Sequence, residues 1–250
     1  MVGLSDEDKA IYEWQLSIPG FGEAGQEILR NSTALVSRCG GLGGPLAFQL
    51  AAAGFGKLVI AHGGNLKHSD LNRQILMSYD KLGQPRSETI KETLNRFNPN
   101  IDVETIDANI TEDNAAELVG KVDIIFDAAP LFEERFLMNR EAVLQRKPMI
   151  DAAMFNMEGQ VITIVPGKTP CLACLFPEVP PHWKRQFPVI GALSALVANI
   201  AALEGIKHLT GLGQVNYNKM IYLNGMDMSM SKIGIERNPH CPQCASLFTS

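Results

Sequence analysis

The segment TALVSRCGGLGGP, Thr33 to Pro45, runs directly into LAFQLAAAG, Leu46 to Gly54. A short β-prone run enters a cluster of glycines, and a small-residue segment with helical spacing leaves it. Strand, glycine turn and helix in that order open a nucleotide-binding β-α-β unit. One residue departs from the pattern: Arg38 stands where such a turn places its first glycine. RCGGLGG therefore admits two readings. It is a tight turn without a ligand, or Gly40, Gly41 and Gly43 bring backbone N–H groups and a helix N-terminus close to phosphate. On the second reading Arg38 fills the site or adds a cation beside the phosphates.

Outward from this segment the chain alternates. KLVIAH (57–62), DVETIDA (102–108), VDIIFDAA (122–129) and PMIDAAMF (148–155) read as strands. VDIIFDAA is almost wholly apolar, as a parallel strand covered on both faces must be. Between them fall helical stretches: Pro85 at a first helical position ahead of SETIKETLNRF, TEDNAAELVG capped by Thr111, and Phe132 to Arg146. Residues 5–30 form a leading helical segment. Strands alternating with helices at this spacing predict a doubly wound, mainly parallel, Rossmann-like α/β sheet. After about residue 157 the rhythm changes. EGQVITIVPG is a strand, PEVPPHWKRQFP an irregular crossing loop, Ile190–Leu209 a helix ending at Gly211, and KMIYLNGMDMSMSKIGIERNP a terminal hairpin. One domain with a C-terminal elaboration is expected.

Composition excludes several classes. The chain has 250 residues, 46% hydrophobic and 20% charged, with a net charge of -5. An acidic balance gives no basic footprint for nucleic acid. The apolar run Val189 to Leu203 is shorter than the roughly 20 residues a bilayer needs, so a buried helix is expected and no membrane partner. The polar start MVGLSDEDKA carries no signal peptide pattern, and a cytoplasmic protein is the expectation. A dinucleotide-dependent dehydrogenase would end its second strand in an acidic residue that holds ribose hydroxyls. His62, Gly63 and Gly64 occupy that place.

Four of the five cysteines fall in two pairs, Cys171–Cys174 and Cys241–Cys244, each of the form CxxC. Two such knuckles complete a tetrahedral thiolate shell for zinc. Four sulfurs leave no position for water, so a structural staple between the chain end and the main body is expected, not a catalytic metal.

These motifs together resemble the ThiF/MoeB/HesA proteins, the bacterial relatives of ubiquitin-activating enzymes, and most closely the molybdopterin-synthase adenylyltransferase type. The resemblance runs nearly end to end: GGLGG, SDLNRQ (69–74), LGQPR (82–86), NPNI (98–101), MEGQV (157–161), PCLACLFPE (170–178), ALEGIKHLTG (202–211) and NPHCPQC (238–244). It implies a homodimer that uses ATP and magnesium to adenylate the C-terminal glycine of a ubiquitin-fold sulfur carrier. It divides the chain into a nucleotide-binding half, about 1–156, and a carrier-docking, zinc-bearing half, about 157–250. AMP turns a carboxylate into a competent acyl donor, while arginines and a lysine spread the phosphate charge.

Carried over by position, Arg73 and Arg86 are the catalytic candidates. Gly40, Gly41, Gly43, Arg38, Arg73, Gln74 and Arg86 line the nucleotide. Departures accompany them. Asp70 stands for the usual asparagine and Arg86 for a lysine. The N-terminal arginine that enters the partner's site is Trp14, the acidic pair after the second strand is His62 and Gly64, and the magnesium-linked aspartate falls at Pro130. The crossing loop has no cysteine, and Cys39 lies inside the glycine loop. Loss of one preorganised charge costs about 2.7–4 kcal/mol of transition-state stabilisation. The expectation is an adenylyltransferase whose ATP and magnesium chemistry is lost or altered. The alternative is a non-catalytic member that binds a carrier, an active relative or another anionic ligand in a pocket made basic by Arg38, His62, Lys67 and His68. Glu134 and Arg135 read as surface charges, and Met226, Met228 and Met230 as core or interface filler.

Overall fold

The computed structural model describes residues 3–180 and 186–248. Three short helices lead: α1 (Asp6–Ile11), α2 (Glu13–Leu16) and α3 (Gly22–Arg30). Ser5 starts α1 with a capping box, exchanging hydrogen bonds with Asp8 through backbone and side chain. Then come β1 (Thr33–Val36), α4 (Gly43–Ala53), β2 (Lys57–Ala61), α5 (Arg86–Phe97), β3 (Asp102–Ile106), α6 (Ala115–Gly120) and β4 (Ile124–Asp127). The chain continues through α7 (Phe132–Leu144), β5 (Met149–Phe155), β6 (Glu158–Ile164), α8 (Leu172–Leu175), α9 (Gly191–Thr210), β7 (Lys219–Asn224) and β8 (Ser229–Gly234). Two helix starts differ from expectation. Pro85 is the residue before α5, not its first turn. Thr111 does not cap α6: the helix begins four residues later behind Asn114, whose side chain accepts from the Thr111 N–H at 2.8 Å.

The eight strands among the described residues form one sheet in the order β3-β2-β1-β4-β5-β6-β7-β8. β1 to β5 run parallel, and β6, β7 and β8 add antiparallel. The chain winds outward from β1 through β2 to β3, then returns to lay β4 on the other side of β1. That reversal opens a crevice at the carboxyl ends of β1 and β4, where doubly wound sheets bind ligands. Ala34, Leu35, Val36, Ile124, Ile125 and Phe126 are fully buried, so both faces of these central strands are covered.

The helix α9 shows why apolar length alone is a poor guide to a membrane span. Its 20 residues are long and apolar enough to cross a bilayer, beyond the shorter run expected from the sequence. Packing accounts for it instead. Val197, Ala198 and Ala201 are buried in the main core. A methyl group on Gly159 of β6 would lie 2.3 Å from Val197 Cγ2, and one on Gly205 would lie 2.3 Å from Phe126 Cζ. Helix and sheet approach too closely for any other residue at either place. Met226, Met228 and Met230 lie outside the core, exposed on the β7–β8 hairpin.

A candidate crevice and a cysteine cluster

The glycine loop is built by close approaches. A methyl group on Gly43 would lie 1.6 Å from the Arg38 carbonyl oxygen, so only glycine lets α4 begin there. One on Gly41 would lie 2.8 Å from Arg73 Cγ and Cδ, which places the Arg73 stem across the loop. Ser37 ties β1 to β4: its hydroxyl accepts the Ala128 N–H at 2.9 Å and lies 3.4 Å from Asp127 Oδ1. Cys39 is fully buried, and burial pushes its thiol far above the ordinary range, which removes it as a nucleophile.

Around the loop, the predicted cations come together and arrive already paired. Arg38 donates to both carboxylate oxygens of Glu134, Nε to Oε2 at 2.8 Å and Nη2 to Oε1. Both side chains are nearly buried, at 11% and 8% exposure. Arg86 Nη2 donates to Asp70 Oδ2 at 2.5 Å. Asp70 also accepts from Gln74 Nε2 at 2.8 Å and from the Lys67 N–H at 2.9 Å. Arg73 is the most open of the three: it donates to Ser69 O at 2.7 Å and Asn72 Oδ1 at 2.8 Å, and lies 3.9 Å from Asp70 Oδ1. Three buried polar atoms in this neighbourhood have no hydrogen-bond partner: His62 Nδ1, Gln74 Oε1 and Arg86 Nε.

The expected basic pocket is therefore corrected. His62 is buried, and desolvation, with Arg38 and Arg86 beside it, lowers its pKa to about 3. It is neutral. Arg38 is neutralised by Glu134, and Lys67 and His68 are exposed loop residues. Glu134 and Arg135 are not surface charges. They are 6% and 5% exposed, and α7 turns both inward.

Arg135 belongs to a second buried set. Its Nη1 donates to Asp151 Oδ1 at 2.8 Å and lies 3.6 Å from Asp127 Oδ2, and Nη2 donates to Ala152 O. Asp127 and Asp151 are register partners on adjacent parallel strands and fully buried. Two carboxylates side by side share one arginine, so one of the pair retains a proton. Burial, with Asp151 adding to it, holds Asp127 well above the usual carboxylate range.

This arrangement does not fit a magnesium site. Asp127 Oδ1 accepts from Ala129 N–H at 2.9 Å, and its other oxygen faces Arg135 in the interior. Pro130 offers no side-chain ligand, and Glu134 and Asp70 are committed to arginines.

Asp127→Asn is a direct check on that reading. The amide oxygen can keep the Ser37 and Ala129 contacts, while its NH2 donates to Asp151. Asp127 has a folded pKa above its ordinary value of 3.8, so wild-type stability contributed by this group is present at low pH and falls as pH rises past that value. The variant lacks this decline. Its stability relative to wild type is expected to rise with pH, by at most about 1.4 kcal/mol per unit, measured by denaturant titration. A flat difference between pH 4 and 8 would exclude the shared proton.

Beside the middle of α7 the four cysteines meet. Sγ separations are 3.9 Å for Cys171–Cys174, 3.6 Å for Cys171–Cys241 and 3.4 Å for Cys174–Cys244, and all four sulfurs lie within 4.8 Å of one another. Zinc with about 2.3 Å bonds to sulfur in a tetrahedron sets sulfurs about 3.8 Å apart. The cluster fits a metal such as zinc. Asn139 on α7 holds both knuckles in place. Its Oδ1 accepts the Leu172 N–H at 2.8 Å, and its Nδ2 donates to Gln243 Oε1.

Glu134, Arg135, Asp151 and Asn139 were not legible as site residues. Each meets its partner across 16 to 104 positions, and no local spacing marks such pairs.

A doubly wound sheet with a glycine turn at its switch point, extended by antiparallel strands and closed by a four-cysteine cluster, defines a class of Rossmann-like proteins. The sequence profile of the ThiF family matches residues 12–243, and the chain belongs to that family. Protein HesA of Leptolyngbya boryana is 45% identical over 246 residues, covering 98% of this chain and 89% of its own. The sulfur carrier protein adenylyltransferase of Thermus thermophilus is 33% identical over 242 residues, covering 93% and 89%. The crystal structure of E. coli MccB with MccA-N7isoAsn superposes with a TM-score of 0.84 at 23% identity, covering 96% of this chain and 75% of that one. That last likeness speaks to the fold.

Proposed function

We propose that this protein binds the C-terminal tail of a small ubiquitin-fold carrier at its carboxyl-edge crevice, and that ATP- and magnesium-dependent adenylation there is lost or altered. One observation carries the second half: Arg38 and Arg86 are each neutralised by a carboxylate of the same chain. A triphosphate with four negative charges would meet Arg73 as its least encumbered cation. It would also have to displace Glu134 or Asp70, at a cost of several kcal/mol for leaving a buried carboxylate unpaired.

The tail-binding half is supported by the family, and the far sheet edge leaves a separate surface for the body of a carrier. The relative in Thermus thermophilus is an adenylyltransferase of a sulfur carrier protein. Strand β8 is exposed along its whole length with Met230 and Ile233 on it, and among the described residues no strand pairs its outer edge. Such an edge accepts a strand from a partner through main-chain hydrogen bonds. The expected crossing loop PEVPPHWKRQFP lies partly outside the described residues, at 181–185.

Calorimetry with ATP and magnesium, alongside carrier-dependent ATP–pyrophosphate exchange, tests the reading. No ATP binding and no exchange are expected, with carrier binding retained. Exchange at a rate dependent on Arg73 would instead establish an active adenylyltransferase, the second reading, which the retained Arg73 and glycine loop favour.

We assign the homodimer that the resemblance implies to the N-terminal helices, a reading supported by the exposure of Trp14 at 87% and of Ile11 and Ile18 at 48% and 43%. Trp14→Ala is expected to weaken self-association at least tenfold by sedimentation, without changing the thermal midpoint at concentrations where both forms are monomeric. Unchanged association would remove this face from the interface.

A further inference from the structure

A second cavity, of about 210 Å3, opens on the α7 face of the sheet. It lies where the ends of β5 and β7 and the start of β6 meet the α8 knuckle. Its walls are aromatic and aliphatic: Phe132 at the start of α7, Phe155 at the end of β5, and Leu172 and Phe176 around α8. Two charged groups also line it. Arg135 is held by Asp151 and Asp127, and Glu158 lies at the exposed rim. An anionic guest would find no free cation among the lining residues, whereas an apolar one fills the aromatic walls and leaves the Arg135 pairs intact. Size agrees, because an apolar cavity of about 150 Å3 already holds a benzene ring.

Position says which part of a ligand reaches it. The cavity opens at the same carboxyl edge as the glycine loop, and Arg135 connects the two: it lines the cavity while its guanidinium meets Asp127 at the crevice floor. From β1 to the β5–β6 boundary is two to three strand spacings, about 10–14 Å. An extended tail advances about 3.3 Å per residue, so a carboxylate at the glycine loop sets its fourth or fifth residue from the end over this cavity.

We propose that the cavity is a specificity pocket for a single bulky apolar side chain, carried three or four residues before the C-terminus of the tail. The proposal rests on the tail-binding reading given above. It names what that reading leaves open, namely which tails are accepted. A tail that is glycine or serine at that position leaves the cavity unfilled and binds more weakly.

Two measurements separate the proposal from the reading beneath it. The first uses N-acetyl-phenylalaninamide as a probe of the pocket alone, followed by ligand-observed NMR against the full chain. Binding to wild type that is lost in Ala153→Phe, which fills the cavity from β5, is expected. Gln160→Trp fills it from β6 and guards against misfolding of the first variant. No binding to wild type, or binding unaffected by both folded variants, overturns the pocket. The second titrates two synthetic heptapeptides ending in Gly-Gly, with phenylalanine or serine at the fourth and fifth positions from the end. The phenylalanine peptides are expected to bind about tenfold or more tightly, and Ala153→Phe to erase the difference. Equal binding of the two series overturns the pocket but leaves the tail reading standing. If the probe binds as expected and neither series does, the tail reading falls and, with it, the pocket's role in choosing tails.

Discussion

Glu134→Ala is expected to lower the stability of the protein and, at the same time, to make it responsive to ATP. The two effects have one cause. In wild type the Arg38 guanidinium is matched atom for atom by the Glu134 carboxylate, Nε to Oε2 and Nη2 to Oε1, with both side chains nearly closed to water. Planar two-point pairs of this kind are the strong charge-assisted hydrogen bonds. Removing the carboxylate leaves a cation in a poor dielectric, at a cost of about 3 kcal/mol, the lower end of the range because the rim is partly open. The stranded guanidinium then lies beside the glycine loop with no internal anion, and a phosphate can take the vacated place. ATP, or inorganic pyrophosphate as the simpler probe, is expected to raise the thermal midpoint of the variant and not of wild type. A ligand at one hundred times its Kd contributes about 2.7 kcal/mol, enough to restore most of the lost stability. The double variant Arg38→Gly with Glu134→Ala is expected to recover stability without gaining the response, since cation and anion leave together. An equal ATP-induced shift in wild type and Glu134→Ala would show that the ion pair does not oppose the nucleotide.

Removing the metal from the cysteine cluster is expected to have the largest effect on folding. The cluster joins Cys171, just before the short α8, and Cys174, within it, to Cys241 and Cys244 near the chain end, closing a loop of about 70 residues. That loop contains α9, β7 and β8. In a chain-entropy description a cross-link over this length contributes about 4 kcal/mol by restricting the unfolded state. For a chain of this size each kcal/mol moves the midpoint by about 2–4 °C, so a fall of about 10 °C is expected for Cys241→Ser or after chelation. One zinc per chain is expected by elemental analysis, absent from the variant. Asn139→Ala should give a smaller fall with the metal retained, because it loosens the knuckles without removing a ligand. Full stability of the chelated protein would contradict the staple.

The strands were largely legible from the residues, and the reason is local. Runs such as VDIIFD and KLVIA are apolar on both faces and bounded by turns, so period and composition suffice to mark buried parallel strands. The cysteine pairs were legible for a similar reason, because the CxxC spacing is itself the geometry of a knuckle. Thr111 was misplaced as a cap because the chain makes a turn first, closed by the Asn114 side chain on the Thr111 N–H, and α6 starts without a side-chain cap. Glu134 and Arg135 look like any charged pair in the first turn of a helix. They are buried because α7 faces the crevice with Glu134 and the sheet with Arg135, which no feature of PLFEERF announces.

From its sequence alone this protein is a ThiF-type doubly wound sheet with a glycine turn at its switch point and four cysteines spaced for one metal. Those features depend on neighbours within a few positions, where residue type and spacing are enough. The electrical state of the crevice was decided only by the tertiary structure. Arg38 finds Glu134 across 96 positions, and Asp127 finds Asp151 by strand register. Charge depends on what lies within a few ångströms and on how much water is excluded, and the sequence records neither. The arginine that stood out in the glycine turn is therefore one half of a buried pair, and the pair sets what the crevice can accept.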